Sequence, residues 1–106
     1  MSKFFSFIVA TLLMAIEPAG AAEHKISQKN MEISAKEMTI KVGDTINFVN
    51  ADNTTHNVYS ASENFQFDSQ MQEPGQASGV RFTKAGVFEI RCAIHPKMKL
   101  KVTVTP

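Results

Sequence analysis

The sequence has only one cysteine, Cys92, and only three histidines, His24, His56 and His95. A lone cysteine excludes an internal disulfide and leaves a reactive thiol, an intermolecular bridge or a metal ligand. Three histidines restrict any imidazole site to a few combinations. Neither sign of charge is in excess, with 11 Lys and Arg against 10 Asp and Glu, which argues against a nucleic-acid binder. No apolar run is long enough for a membrane-spanning helix. Internal repeats and low-complexity tracts are absent, and helical periodicity is nowhere sustained, which argues against solenoids and helical bundles.

What stands at the N-terminus is an export signal. Lys3 is followed by an apolar run from Phe4 to Ile16, then by Glu17-Pro18 and the small residues Ala19-Gly20-Ala21. This order is that of a secretory leader, Met1–Ala21, with cleavage after Ala21 or Ala22. The mature part, residues 22–106, is then about 85 residues, one domain in the periplasm. A chain of that size buries only ~60–65% of its unfolded surface, so a tightly held metal would add stability to a modest core.

The mature part reads as short strands separated by turn signals. Ile26 is inward in a first strand over His24–Gln28, which Met31 and Ile33 extend at the edge. Met38, Ile40 and Val42 alternate with Thr39 and Lys41, Gly43-Asp44 turns the chain, and Ile46 and Phe48 share a face. A strand over His56–Tyr59 follows, then the poorly patterned stretch Ser60–Gln72, in which Phe65 and Phe67 share a parity. In the last two strands Phe88, Ile90 and Cys92 form one inward set, and Met98, Leu100, Val102 and Val104 the other. Many short strands at regular spacing predict an all-β fold, an antiparallel Greek-key sandwich or barrel.

The chemistry concentrates in Arg91-Cys92-Ala93-Ile94-His95-Pro96-Lys97-Met98. A thiolate, an imidazole and a thioether on one short loop form a soft donor set. Two His, one Cys and a weak axial Met are the donors of a blue-copper site. The second imidazole must come from outside the loop, and His56, in Asn53-Thr54-Thr55-His56-Asn57-Val58, follows a strand-like run. The expected ligands are His56, Cys92, His95 and Met98. Taken singly, Cys92 and Met98 also fit core positions and His95 a loop surface; it is their order that points to a metal.

At these residues the chain resembles the type I copper proteins, the cupredoxins, over roughly Met38 to Pro106. The short Cys-x-x-His-x-x-Met loop is most similar to that of amicyanin, with plastocyanin and pseudoazurin as longer-loop relatives. The resemblance implies a cupredoxin-like fold and one type I copper per chain. It implies that Asn57 ties the two ligand loops together and turns its backbone N–H toward the Cys92 sulfur. Pro96 stiffens the loop behind His95. Two positions depart from the relatives. Ile94 stands where they carry Pro, so its N–H is expected to donate a second bond to the thiolate. Lys97 stands where amicyanin has an aromatic residue.

A site filled by four protein donors leaves no open position for a substrate, unlike a catalytic metal site. The expected function is therefore not enzymatic. The protein is read as an exported, monomeric one-electron carrier that meets a cytochrome c or a dehydrogenase transiently, with no membrane attachment once the signal is removed. Arg81, Lys84, Arg91, Lys97, Lys99 and Lys101 face only Glu89 over the same stretch; gathered at the copper end they would favour an acidic partner, and otherwise they form a solvated strand face. The rival reading is copper handling, a resistance or storage role. Cleavage after Ala21 would expose Ala22-Glu23-His24, whose amine, two amides and imidazole could form a square-planar site for Cu(II), with His24 as its side-chain ligand. A thiol enzyme built on Cys92 and His95 is the weakest reading, because an inward-facing thiol is a poor nucleophile.

Overall fold

The computed structural model describes residues 21–30, 32–95 and 97–106. The leader up to residue 20 and the readings on Met31 and Pro96 lie outside them.

Eight strands form among the described residues: β1 Glu23–Lys29, β2 Glu32–Ile33, β3 Glu37–Lys41, β4 Thr45–Asn50, β5 Tyr59–Ser60, β6 Ala77–Arg81, β7 Gly86–Arg91 and β8 Lys99–Thr105. They assemble into two four-stranded sheets, ordered β2-β1-β4-β6 and β3-β8-β7-β5. Among the described residues no helix is long and apolar enough to cross a membrane.

The period-2 pattern decides which side of each strand is buried. β4 alternates half-buried and buried residues, sending Ile46, Phe48 and Asn50 inward. β8 does the same with Leu100, Val102 and Val104. With Ile26, Ile40, Val58, Phe82, Phe88 and Ile90 these side chains make one core between the sheets. Burying a side chain of this size stabilises by about 1.5–3 kcal/mol. The stretch between β5 and β6 adds to it. Phe65 packs with ring centroids 5.0 Å from Phe82 and 5.2 Å from Phe88, and Phe67 lies 6.0 Å from Phe48. The shared parity of the two rings is thus a packing signal.

The two-sheet all-β fold is the one expected, and its sheets are mixed, with parallel as well as antiparallel pairs. β1 runs parallel to β4, and β3 runs parallel to β8. An antiparallel expectation assumes that consecutive strands are joined by hairpins. Here the chain passes from one sheet to the other between β2 and β3 and again between β3 and β4, so β1 meets β4 after a detour, and parallel neighbours need such a crossover. The strand expected over His56–Tyr59 is also shorter. Only Tyr59–Ser60 is regular, and His56 makes an isolated bridge to Gln72.

The turn before β4 requires its glycine. Gly43 has φ of 99°, a conformation in which a side chain would be strained. It reverses the chain so that Asp44 enters the protein at the start of β4. Asn50 ends β4 about 20 Å away at an extended-strand rise. Those residues mark the two ends of the sandwich.

Candidate metal centre

The site lies at the end where β4 stops and β7 runs into Cys92. Cys92 is 1% exposed and Met98 2%, as their inward parity predicts. Between them the loop is tied by its own backbone. The Met98 N–H donates to the His95 carbonyl at 2.9 Å, and the Cys92 N–H to the Met98 carbonyl at 3.3 Å. These bonds return Met98 to the interior only six residues after Cys92.

His56 is wholly buried and fixed at both backbone and ring. Its N–H and C=O both pair with Gln72, at 3.1 and 2.6 Å. Its Nε2 lies 3.0 Å from Asp52 Oδ2. A carboxylate only accepts, so Nε2 carries the proton and Nδ1 keeps a lone pair. That Nδ1 faces the Cys92 sulfur at 3.8 Å. An acidic partner behind a histidine sets its tautomer and raises its basicity as a ligand.

Asn57 joins the two halves. Its side-chain oxygen accepts from the Ala93 N–H at 2.9 Å and lies 3.6 Å from Cys92 Sγ. The tie between loops is therefore a side-chain bond to the residue after the cysteine. Among the described residues the expected bond from the Asn57 backbone N–H to sulfur is absent, and so is the one from Ile94. The Ala93–Ile94 turn carries Ile94 outward, 44% exposed, and the amide next to the thiol, that of Ala93, goes to Asn57.

The ring of His95 lies 4.8 Å from that of His56, tilted by 56°. The residue is half-buried, and its Nε2 is buried with no hydrogen-bond partner. No group of three His, Cys, Asp or Glu side chains among the described residues is gathered closely enough to hold an ion alone. His56 and Cys92 are the close pair, with His95 and the Met98 thioether on the adjoining loop. A buried imidazole nitrogen lacking a partner, a second imidazole with an inward lone pair, a buried thiol and a buried thioether fit copper by chemistry. The donors are soft or borderline, and the Asp52 carboxylate is already engaged with the His56 ring.

Two residues of this site were not singled out from the sequence. Asn50 is fully buried. Its Nδ2 donates to the carbonyls of Thr54 and Gln72, and its oxygen accepts from the Asp52 N–H. It thereby shapes the loop that presents both Asp52 and His56. The available signal was its parity: a polar residue in the inward series Ile46, Phe48, Asn50 must be hydrogen-bonded. Asp52 had no comparable signal, because it stands in an ordinary loop sequence.

The basic residues divide. Arg81 donates to the Gly43 carbonyl and Lys84 to the Asn64 carbonyl, at the far end of the sandwich. Arg91 pairs with Glu89, and Lys101 lies 3.9 Å from Glu37. Glu32, Glu37 and Glu89 line the same groove beside Met98 as Lys97, Lys99 and Lys101. The expected one-signed patch is thus a surface of mixed charge.

The N-terminal groups are put to a different use from a metal chelate. The Ala22 N–H donates to Asp44 Oδ1 at 2.9 Å, and His24 Nε2 lies 2.9 Å from Asp44 Oδ2. The Lys41 N–H adds a bond of 3.1 Å to the same oxygen. The His24 bond first, then the two main-chain donors, lower the Asp44 carboxyl from 3.8 to about 2.

Residues 20–105 match the family of copper binding proteins described as plastocyanin/azurin. The chain is 32% identical over 88 residues to the methylamine utilization protein MauL of Methylorubrum extorquens, covering 82% of this chain and 77% of that one. It is 31% identical over 102 residues to amicyanin-alpha of the same organism, covering 92% and 84%. The crystal structure of amicyanin from Paracoccus versutus superposes with a TM-score of 0.70 at 32% identity, over 83% of this chain and 84% of that one.

Proposed function

The chain belongs to the plastocyanin/azurin family of copper-binding proteins, and from that premise we propose that it is an exported, monomeric carrier of single electrons. Copper bound there would supply one-electron chemistry between Cu(II) and Cu(I), without making or breaking substrate bonds. His56, Cys92, His95 and Met98 would hold it. Asp52 keeps the His56 ring oriented with Nδ1 inward, and Asn57 holds the cysteine loop against the His56 loop. Cys92 and Met98 are buried, and four protein donors would leave copper no open position for a substrate, which supports a carrier over an enzyme.

The observation that carries this reading is the buried Cys92–His56 contact, with the imidazole lone pair aimed at the sulfur. Half-buried His95 is the path by which an electron leaves, with exposed Ile94 next to it in the loop as an apolar contact. The partners fitted to such a site are redox proteins, such as a cytochrome c or a dehydrogenase, meeting over a small transient interface in the periplasm. Export rests on the leader read from Met1–Ala21. Copper storage draws no support from Ala22 and His24, because Asp44 engages both.

The test is spectroscopic and electrochemical. The Cu(II) protein should show intense visible thiolate-to-copper absorption and fast, reversible one-electron voltammetry. Copper bound without that band, or reduced only irreversibly, would overturn the carrier reading.

A further inference from the structure

The end of the sandwich opposite the metal holds a carboxylate that the copper function does not use. Asp44 is 3% exposed, yet it is ionised in the fold, and its oxygens take donors from three directions. His24 comes from β1, the Lys41 N–H from the end of β3, and the Ala22 N–H from the residue just before β1. Ala22 is gripped on its other side as well, since its carbonyl accepts from the Thr45 N–H at 3.0 Å. Asp44 itself is pinned through its backbone to Lys41 and Phe82. A buried carboxylate with a rigid backbone and a chain nitrogen 2.9 Å from one oxygen is built to receive a cation at that nitrogen.

We propose that Asp44 is the receptor for the α-ammonium group that appears on Ala22 when the chain is cut between Ala21 and Ala22, so that removal of the leader locks β1 onto the sheet. The inference rests on the export reading above. Hydrolysis of the Ala21–Ala22 bond consumes one water, leaves a carboxylate on Ala21 and an amine on Ala22, and that amine takes up a proton. A neutral amide donor is thereby replaced by a charged one at the same position, and a charge-assisted bond is roughly twice as strong as a neutral one. The position of the cut matters. Cleavage one residue later would remove Ala22 and start the chain at Glu23, whose backbone already pairs with Thr45 in the β1–β4 ladder.

The same assignment decides the fate of the N-terminal copper chelate. That chelate needs the Ala22 amine, the amides of Glu23 and His24 and the His24 ring around one ion. In the fold the amine position and the ring are held by Asp44, and Glu23 and His24 pair with Thr45 and Ile46. Lock and chelate are mutually exclusive, and the lock is the folded arrangement.

The experiment compares three copper-loaded chains: one beginning at Ala22, the same chain N-acetylated, and one beginning at Glu23. Acetylation restores the amide N–H of the uncut chain and removes only the charge. The free Ala22 chain should unfold about 4–8 °C above both others. In an Asp44→Asn background acetylation should change nothing. Should that variant not fold, Ni(II) titration gives the second readout: the folded Ala22 chain should take up no square-planar Ni(II), and the same chain in denaturant should. Equal midpoints for the free and acetylated chains, an undiminished acetylation effect in Asp44→Asn, or Ni(II) chelation by the folded chain would overturn the lock. Mass analysis of the exported protein separates this from export itself. A first residue Glu23 sinks the lock and leaves export standing, whereas an uncut chain sinks both.

Discussion

The two ends of the sandwich differ in how completely their buried polar groups are paired. At the Asp44 end the carboxylate has a donor for each oxygen, and its backbone is bonded on both sides. At the other end, among the described residues, stand buried polar atoms without partners: His95 Nε2, Gln72 Oε1 and both side-chain polar atoms of Gln28. Gln28 lies opposite Asn50 in the β1–β4 ladder, and Gln72 bridges His56. Leaving a buried polar group unmade costs about 1–3 kcal/mol, so such groups persist where something else requires them. The Asp44 end is closed by its own hydrogen bonds, and the other end keeps a buried imidazole nitrogen open to a ligand. The proposed copper site falls at the end that holds these atoms.

Cys92→Ser should break the contrast most completely. It removes the thiolate and with it the intense visible band, while the Asp44 end and the fold stay as they are. Absorption of the copper-loaded variant, with circular dichroism beside it, checks both halves. A variant that keeps the band would mean that Cys92 is not the ligand. A smaller effect at the same end is expected of Asn57→Ala, which leaves the Ala93 N–H without its acceptor. Copper affinity should fall about 10–100-fold, as for other residues that orient ligands, and stability by roughly 1–3 kcal/mol. Competition with a copper chelator and chemical denaturation measure the two losses separately.

How legible these ends were in the sequence differs as well. The ligand loop could be read because its chemistry is local: Cys92, His95 and Met98 lie within one turn, and strand parity sends Cys92 and Met98 inward. The core followed from the same alternation in β4, β7 and β8. What stayed hidden is non-local. The parallel pairing of β1 with β4 depends on where the chain changes sheets, which no period-2 pattern records. Asp52 behind His56 and Asp44 beneath Ala22 look like loop acids, and only the folded chain brings an imidazole or an N-terminal nitrogen to them. The expected basic face failed for the same reason, since Glu32 and Glu37 come from strands distant in sequence.

The Asp44 end can be sharpened by acid. Its carboxyl is lowered from 3.8 to about 2 in the fold, so the folded protein holds the ionised form more strongly than the unfolded chain does. The resulting stability is fully present above about 3.8, is lost as pH falls through the folded value, and is gone below about 2. Wild type should therefore lose more stability than Asp44→Asn over that window, and the two should keep a constant difference above it. The copper band, measured at neutral pH, should be the same in both. Parallel curves through the acid window would show that Asp44 is not held ionised by the fold.

The smallest effect is expected at Ile94. A second N–H···S bond there would stabilise the reduced site, and a difference of about 1 kcal/mol between oxidation states corresponds to roughly 40 mV for one electron. The fold spends the neighbouring amide differently. Ala93 N–H goes to Asn57, and Ile94 turns outward, 44% exposed, with no bond from its amide to Cys92 among the described residues. Replacing that amide should then cost the sulfur nothing. Ile94→Pro and Ile94→Ala should both keep the copper potential within about 10 mV of wild type, a quarter of the shift a lost bond would give. Proline also pushes the preceding residue toward extended geometry, so strain at Ala93 should be visible as a lower unfolding midpoint in the Pro variant and not in the Ala variant. Voltammetry on the three proteins decides the matter. A fall of about 40 mV confined to Ile94→Pro would mean that the amide turns inward once copper is bound.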